Sequence, residues 1–215
     1  MTLYSRDAET DAITALAPII PVLTVRSVED GLAQARALVA GGLTAIEVTL
    51  RTPSALAAIA AIADQVPGAV VGAGTIVSPD QIDDAVAAGA RFLVSPGATT
   101  DLAEAAAAAP VPFLPGCATA SEAMALRELG FRTLKLFPAE AVGGARLLAA
   151  LAAPLPDLRF CPTGGIDLVK AADYLKLPNV ACVGGSWMLP KEALAAGDFA
   201  RVEALAREAA GLRRL

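Results

Sequence analysis

The chain has 215 residues, of which 55% are hydrophobic, 18% charged and only 4% aromatic, with a net charge of −5 and no histidine. That length fits one α/β domain with a sizeable core built mainly from Ala, Val, Leu and Ile, and a mild acidic balance without any Lys/Arg-rich run argues against a nucleic-acid partner. The missing histidine removes Ser-His-Asp and Cys-His catalysis and histidine-ligated metals together, leaving proton transfer to Glu, Asp, Lys, Tyr, Cys or water.

The opening stretch, "MTLYSRDAETDAI", carries acids where a secretory leader carries a cationic end and an apolar run. No segment offers the roughly 20 uninterrupted apolar residues of a membrane span. The three cysteines, Cys117, Cys161 and Cys182, are isolated and lack metal-ligand spacing. A cytoplasmic protein with no membrane contact and no bound metal is therefore expected. A helix is predicted over roughly 6–16. Eight strands follow: "IIPVLTV" (19–25), "TAIEVTL" (44–50), "AVVGAGT" (69–75), "RFLVS" (91–95), "VPFLP" (111–115), "RTLKLF" (132–137), "LRFCPT" (158–163) and "VACVGG" (180–185). Helical Ala/Leu patterns separate them, and a last helix is expected over roughly 198–213. Thr52-Pro53 and Ser78-Pro79 read as capping hydroxyls ahead of a first-turn proline. Ser78 to Gln81 and Thr119 to Glu122 have capping-box spacing. The run "AEAAAAAP" reads as a helix stopped by Pro110.

Strands alternating with helices mean parallel βαβ units, and a recurrence of about 20–25 residues is the pace of a compact (β/α)8 barrel. The expected fold is thus one TIM-barrel domain over residues 1–215 with an extra N-terminal helix. An open doubly wound sheet is the rival architecture.

Strand side chains alternate between faces. With Leu134 and Leu136 turned to the helices, Thr133, Lys135 and Phe137 point into the barrel. With Ile46, Val48 and Leu50 turned out, Glu47, Thr49 and Arg51 point in. Thr75 shares the face of Val71 and Ala73. A lysine and a glutamate thus enter one interior from different strands, while Arg51 and Thr75 sit at the carboxyl rim where barrel active sites lie. A buried structural ion pair is one reading of Lys135 and Glu47. The other is chemical. Desolvation disfavours ammonium, and a neutral lysine amine attacks a carbonyl to form a Schiff base. Glu47 is then the natural proton shuttle. Arg51 could clamp a carboxylate through paired hydrogen bonds, with Thr75 donating another. Such a site suits an α-keto acid.

The seventh strand runs into "CPTGGI" and the eighth into "VGGSWM". Glycines let backbone N–H groups approach an anion, and barrels often hold phosphate with these two loops. Gly164, Gly165, Gly184, Gly185 and Ser186 form the expected phosphate side, though Gly pairs also make plain turns. "SPGAT" and "PGCAT" are similar loops after the fourth and fifth strands. Asp167 suits the first turn of the following helix, and the cysteines read as small core hydrophobes.

The segments "GGLTAIEVTLRTPSALAAI", "VGAGTI", "FLVSPG", "LKLFPAE", "RFCPTGGI" and "GGSWM" resemble the 2-keto-3-deoxy-6-phosphogluconate (KDPG) aldolase family, including its bifunctional form that also acts on 4-hydroxy-2-oxoglutarate (KHG). The resemblance runs over nearly the whole chain in the family's order. It implies a class I aldolase with Lys135 as the Schiff-base lysine and Glu47 as general acid/base. It implies Arg51 and Thr75 as pyruvate-carboxylate contacts, with Pro96 and Phe137 lining the pyruvate pocket. Thr163, Gly164, Gly165, Gly184 and Ser186 would hold the phosphorylated end. It also implies a metal- and cofactor-free homotrimer; Cys117 receives no role. Alternatives are the same mechanism on the galactonate epimer, a phosphosugar isomerase or synthase, and a non-catalytic keto-acid phosphate sensor.

Overall fold

The computed structural model describes residues 6–212. Residues 1–5 of the opening stretch and residue 213 of the last predicted helix lie outside that range. Helix α1 (Asp7–Ala15) precedes β1 (Ile19–Leu23), and then come α2 (Val28–Ala40), β2 (Ala45–Thr49), α3 (Ala55–Gln65), β3 (Val70–Gly74), α4 (Asp80–Ala87) and β4 (Leu93–Val94). After α5 (Thr100–Ala108), strand β5 is laid down in two pieces, Phe113–Leu114 and Gly116–Cys117. The chain continues through α6 (Ala120–Glu128), β6 (Thr133–Leu136), α7 (Gly144–Leu151), β7 (Arg159–Pro162), α8 (Leu168–Tyr174), β8 (Val183–Gly185), α9 (Lys191–Ala196) and α10 (Phe199–Ala210).

Every strand pair is parallel. Glu47 stands opposite Val22 on one side and Gly72 on the other, and β1 also pairs with β8. Pro115 interrupts β5 because it has no N–H to give to a ladder. The first piece pairs with β4, as in Leu93 opposite Phe113. The second pairs with β6, with Gly116 opposite Lys135. The carbonyl of Pro115 still accepts from the Lys135 N–H at 2.9 Å, so the seam holds. Between β7 and β8, bridges at Phe160–Val180 and Thr163–Gly184 close the ring. The sheet therefore closes into an eight-stranded barrel with an added N-terminal helix, and the open-sheet alternative is excluded.

Outward side chains such as Ile46, Val48, Leu134 and Leu136 pack against the helices in the main core. Inward ones form a smaller apolar plug of Ile20, Ala45, Phe92, Val94, Leu114, Cys161 and Cys182, against which Ile13 of α1 packs. Helix α1 thus stoppers the amino end, and Asp11 ties it to Arg159 of β7 at 3.3 Å. Close helix contact needs small residues: a Cβ on Gly31 of α2 would stand 3.0 Å from Ala58 of α3.

Two capping expectations fail. Thr52 does not cap α3, which starts at Ala55; its hydroxyl instead donates to the Val25 carbonyl at 2.8 Å, a tertiary bond that wins over the local one. Ser78 makes no cap bond to α4, but Gln81 reaches back to accept from the Val77 N–H at 2.7 Å. The capping box of Thr119 and Glu122 is complete, and Asp167 caps α8 by accepting from the Lys170 N–H. Helix α9 and the 3-10 turn Glu140–Val142 have no counterpart in the predicted elements.

Candidate active site

Lys135 on β6 and Glu47 on β2 meet inside the barrel, above the apolar plug. Each is nearly sealed from solvent, at 4% and 3% exposure. The Lys135 Nζ donates to Glu47 Oε1 at 3.1 Å and lies 3.5 Å from Oε2. It also sits 5.4 Å from the centre of the Phe137 ring. Room for this pair comes from β3. Its inward face carries Gly72 and Gly74, and a Cβ at Gly74 would stand 2.1 Å from Glu47 Oε1. The Phe92 ring fills the matching space over Gly72, where a Cβ would stand 2.5 Å from it. A glutamate lies flat across the barrel only because its neighbouring strand offers no side chains there.

At the rim above β2 and β3, Arg51 Nε donates to Thr75 Oγ1 at 3.1 Å. Simple alternation puts Thr75 on the face of Val71 and Ala73, yet both of those pack outward among the helices. Thr75 reaches the rim because its φ is +62°, the one left-handed non-glycine among the described residues. Backbone strain of this kind concentrates where a side chain must be re-aimed. Thr49 points in as expected, but its hydroxyl is engaged, donating to the Leu23 carbonyl at 2.8 Å beside the Thr24 hydroxyl at 3.1 Å.

Across the barrel mouth, a cavity of about 140 Å³ is lined by Val22, Arg51, Phe137, Thr163, Gly164, Gly165, Ile166, Gly184, Gly185 and Ser186. Gly164 and Gly165 have φ of +107° and +77°, conformations that only glycine adopts without strain. A Cβ on Gly184 would stand 2.2 Å from Thr163 Oγ1, so this glycine lets the two strands close. Gly185 is buried beneath Trp187 as well as facing the cavity.

Pro96 adjoins the site through Phe137. It lines a neighbouring cavity of about 170 Å³ with Cys117, sharing Phe137 as the wall between the two. Its backbone is met closely by Gly116, where a Cβ would lie 2.3 Å from the Pro96 carbonyl carbon. Burial, and secondarily the Glu122 charge, pushes the Cys117 thiol up to about 12. It therefore stays protonated at neutral pH and cannot serve as a nucleophile. Cys161 and Cys182 belong to the apolar plug. No group of three or more His, Cys, Asp or Glu side chains among the described residues is placed to hold a metal.

Sequence reasoning passed over Val22 and Ile166. Val22 was legible from alternation, since Ile20 on the same face points inward. Gly72 and Gly74 were also passed over, and their signal was a pair of glycines at strand period two beside a strand carrying a carboxylate.

The model of the KDPG and KHG aldolase family matches residues 10–205. The chain is 48% identical over 199 residues to the KHG/KDPG aldolase of Escherichia coli (strain K12), covering 93% of each chain. It superposes with a TM-score of 0.91 on the KDPG aldolase of Legionella pneumophila solved with pyruvate captured at low pH as a covalent carbinolamine intermediate. That match has 43% identity and covers 94% of this chain and 98% of the other. The 2-keto-3-deoxy-6-phosphogluconate aldolase of Zymomonas mobilis ZM4, solved with 3-phosphoglycerate, also gives 0.91, at 47% identity and 97% coverage of both. With its fold, its buried lysine–glutamate pair and these likenesses agreeing over nearly the full length, this chain belongs to the KDPG and KHG aldolase family.

Proposed function

We propose that the chain is a class I aldolase cleaving 2-dehydro-3-deoxy-6-phospho-D-gluconate to pyruvate and D-glyceraldehyde 3-phosphate. The observation that carries this reading is the 3.1 Å contact between two nearly sealed ionisable groups, Lys135 and Glu47, beneath a mouth flanked by Arg51 and two glycine loops. A buried ion pair contributes little net stability over apolar packing, so its retention points to chemistry.

The contact gives the lysine proton a path to Glu47. The freed amine attacks C2 of the substrate, forming a C–N bond as the carbonyl electrons move to oxygen. Glu47 returns the proton, water leaves, and a protonated imine remains. The Glu47 carboxylate, directly or through one water, then removes the C4 hydroxyl proton. The O–H electrons become the aldehyde carbonyl, the C3–C4 bond breaks, and its pair enters the imine as an enamine. D-Glyceraldehyde 3-phosphate departs. Glu47 delivers a proton to C3, and water hydrolyses the imine to release pyruvate and restore the amine. Arg51, with Thr75 holding its Nε, grips the substrate carboxylate. Phe137 and Pro96 flank the pyruvyl group, and Thr163, Gly164, Gly165, Gly184, Gly185 and Ser186 take the phosphorylated end. Fixing both ends holds the scissile bond over the pair, which supplies much of the rate. No step calls for a metal or an organic cofactor.

The double name of the Escherichia coli relative supports a second substrate, 4-hydroxy-2-oxoglutarate, cleaved to pyruvate and glyoxylate by the same steps. A coupled assay of pyruvate release from each substrate tests the reading: release from the phosphorylated gluconate is expected, and none would defeat it. We also read residues 1–215 as one domain of a cytoplasmic homotrimer, on the strength of the family resemblance. Among the described residues no helix is long and apolar enough to cross a membrane. Light scattering on the purified chain would give three times the 21.7 kDa mass if the trimer is right, and the monomer mass if it is wrong.

A further inference from the structure

Behind the glycine loop lies a cluster with no part in the chemistry above. Glu140 follows β6 and the Phe137–Pro138 turn. Its carboxylate accepts from the Tyr174 hydroxyl at 2.6 Å and pairs with Lys170 Nζ at 2.8 Å. The same Nζ donates to the Gly165 carbonyl at 3.0 Å. Two backbone bonds run alongside: the Ala139 N–H donates to the Thr163 carbonyl at 2.8 Å, and the Glu140 N–H to the Gly164 carbonyl at 3.2 Å.

The carbonyls of Thr163, Gly164 and Gly165 are therefore all drawn toward the Glu140 side. In a trans peptide the C=O and the following N–H point in opposite directions, and the peptides here are trans. The N–H groups of Gly164, Gly165 and Ile166 thus turn away from Glu140, and these three residues line the cavity at the mouth. Successive N–H groups presented this way form an anion-binding concavity. Packing fits the tether closely. A Cβ on Gly165 would stand 3.0 Å from Glu140 Cβ and Cγ, and one on Gly144 would stand 2.9 Å from the Tyr174 oxygen. Of the three carbonyls, Gly165's is the one held by a side chain alone, so the orientation of the third peptide depends on Lys170.

We propose that Glu140 and Lys170 are positioning residues that set the grip on the phosphorylated end of the substrate. Glu140, itself fixed by Tyr174, holds Lys170 in place, and Lys170 holds the Gly165 carbonyl so that the Ile166 N–H faces the phosphoryl oxygens. This rests on the cavity taking that end, as in the proposed function. The hydrogen bonds from Lys170 and Tyr174 hold the Glu140 carboxyl below the usual carboxylate range. Burial, then the bond to Glu140, pushes the Tyr174 hydroxyl up. Anion and donor therefore keep their roles across neutral pH.

The test uses Lys170→Met and Lys170→Arg, since Lys170 is a surface side chain whose loss leaves the core untouched. In Lys170→Met, KM for the phosphorylated gluconate should rise about ten-fold while kcat stays within about two-fold, the pattern of lost binding that is uniform along the reaction. KM for unphosphorylated 4-hydroxy-2-oxoglutarate and deuterium exchange into pyruvate should not move, and Lys170→Arg should recover most of the loss. Direct titration with inorganic phosphate should show weaker binding to the Met variant than to the parent chain. An unchanged KM and phosphate affinity, or an equal rise in KM for both substrates, would overturn the tether. Failure of the parent chain to cleave either substrate would sink the functional reading instead, and the phosphate titration alone would then decide the tether.

Discussion

The two ends of the site are built on opposite plans. At the proposed carboxylate end, the donors are side chains: Arg51 and Thr75 are bonded to each other at 3.1 Å, and a strained φ at Thr75 aims its hydroxyl. At the proposed phosphate end, the donors are backbone N–H groups of glycines that line the cavity, while side chains stand behind the loop. A guanidinium matches a planar carboxylate bidentately, whereas a tetrahedral phosphoryl group is met by a concavity of N–H donors. Between the ends, Lys135 and Glu47 occupy the dry centre, where an apolar plug below excludes water. Specificity for either end can thus change without disturbing the reacting pair.

Damage to the centre should strike both ends alike and have the largest effect. Glu47→Gln keeps the shape but removes the base, and cleavage and pyruvate proton exchange should both fall by about 10²–10⁴-fold, with a far smaller change in pyruvate affinity. Unchanged exchange, followed by NMR, would take the shuttle away from Glu47. Gly74→Ala sharpens the same point without altering any ionisable group. Its Cβ would occupy the space of Glu47 Oε1, so the carboxylate must swing aside. Turnover should drop by about 10²-fold, the cost of roughly 1 Å of misplacement, while thermal unfolding shows a folded protein. Full activity in this variant would mean that the carboxylate position is not critical. Arg51→Gln tests the proposed carboxylate end. KM for both the phosphorylated and the unphosphorylated substrate should rise by about ten-fold or more, the worth of a charged hydrogen bond. The ratio between the two KM values should hold, and a shift in it would show that Arg51 also serves the phosphate end. The smallest effect is expected at Cys117, which should resist iodoacetamide at pH 8 in the folded chain because burial keeps its thiol protonated. Rapid alkylation, read by mass spectrometry, would contradict its sealed position.

Much of this was legible in the chain. Alternation in "TAIEVTL" and "RTLKLF" sent Glu47 and Lys135 inward because a period of two leaves no choice once the apolar face is assigned. The paired glycines after the seventh and eighth strands pointed to the wall of the mouth cavity, the proposed phosphate side, for a similar reason: backbone cannot approach an anion through side chains. What alternation could not reach was Thr75, since a single left-handed residue resets the face and nothing in "GAGTIV" announces it. The cap at Thr52 failed because a hydroxyl has several possible acceptors, and the Val25 carbonyl lies far away in sequence. Pro96 was assigned by resemblance, and its wall of the pocket is reached only through Phe137. The cluster of Glu140, Lys170 and Tyr174 spans three elements, so no local pattern brings it together.

The central claim is that Lys135 forms the imine, and borohydride reduction in the presence of pyruvate tests it most directly. Digestion and mass spectrometry should find the reduced pyruvyl adduct on Lys135 and on none of the other lysines, with loss of activity tracking its formation. Recovery of unmodified Lys135 from a fully inactivated sample, or an adduct placed on another lysine, would contradict the account.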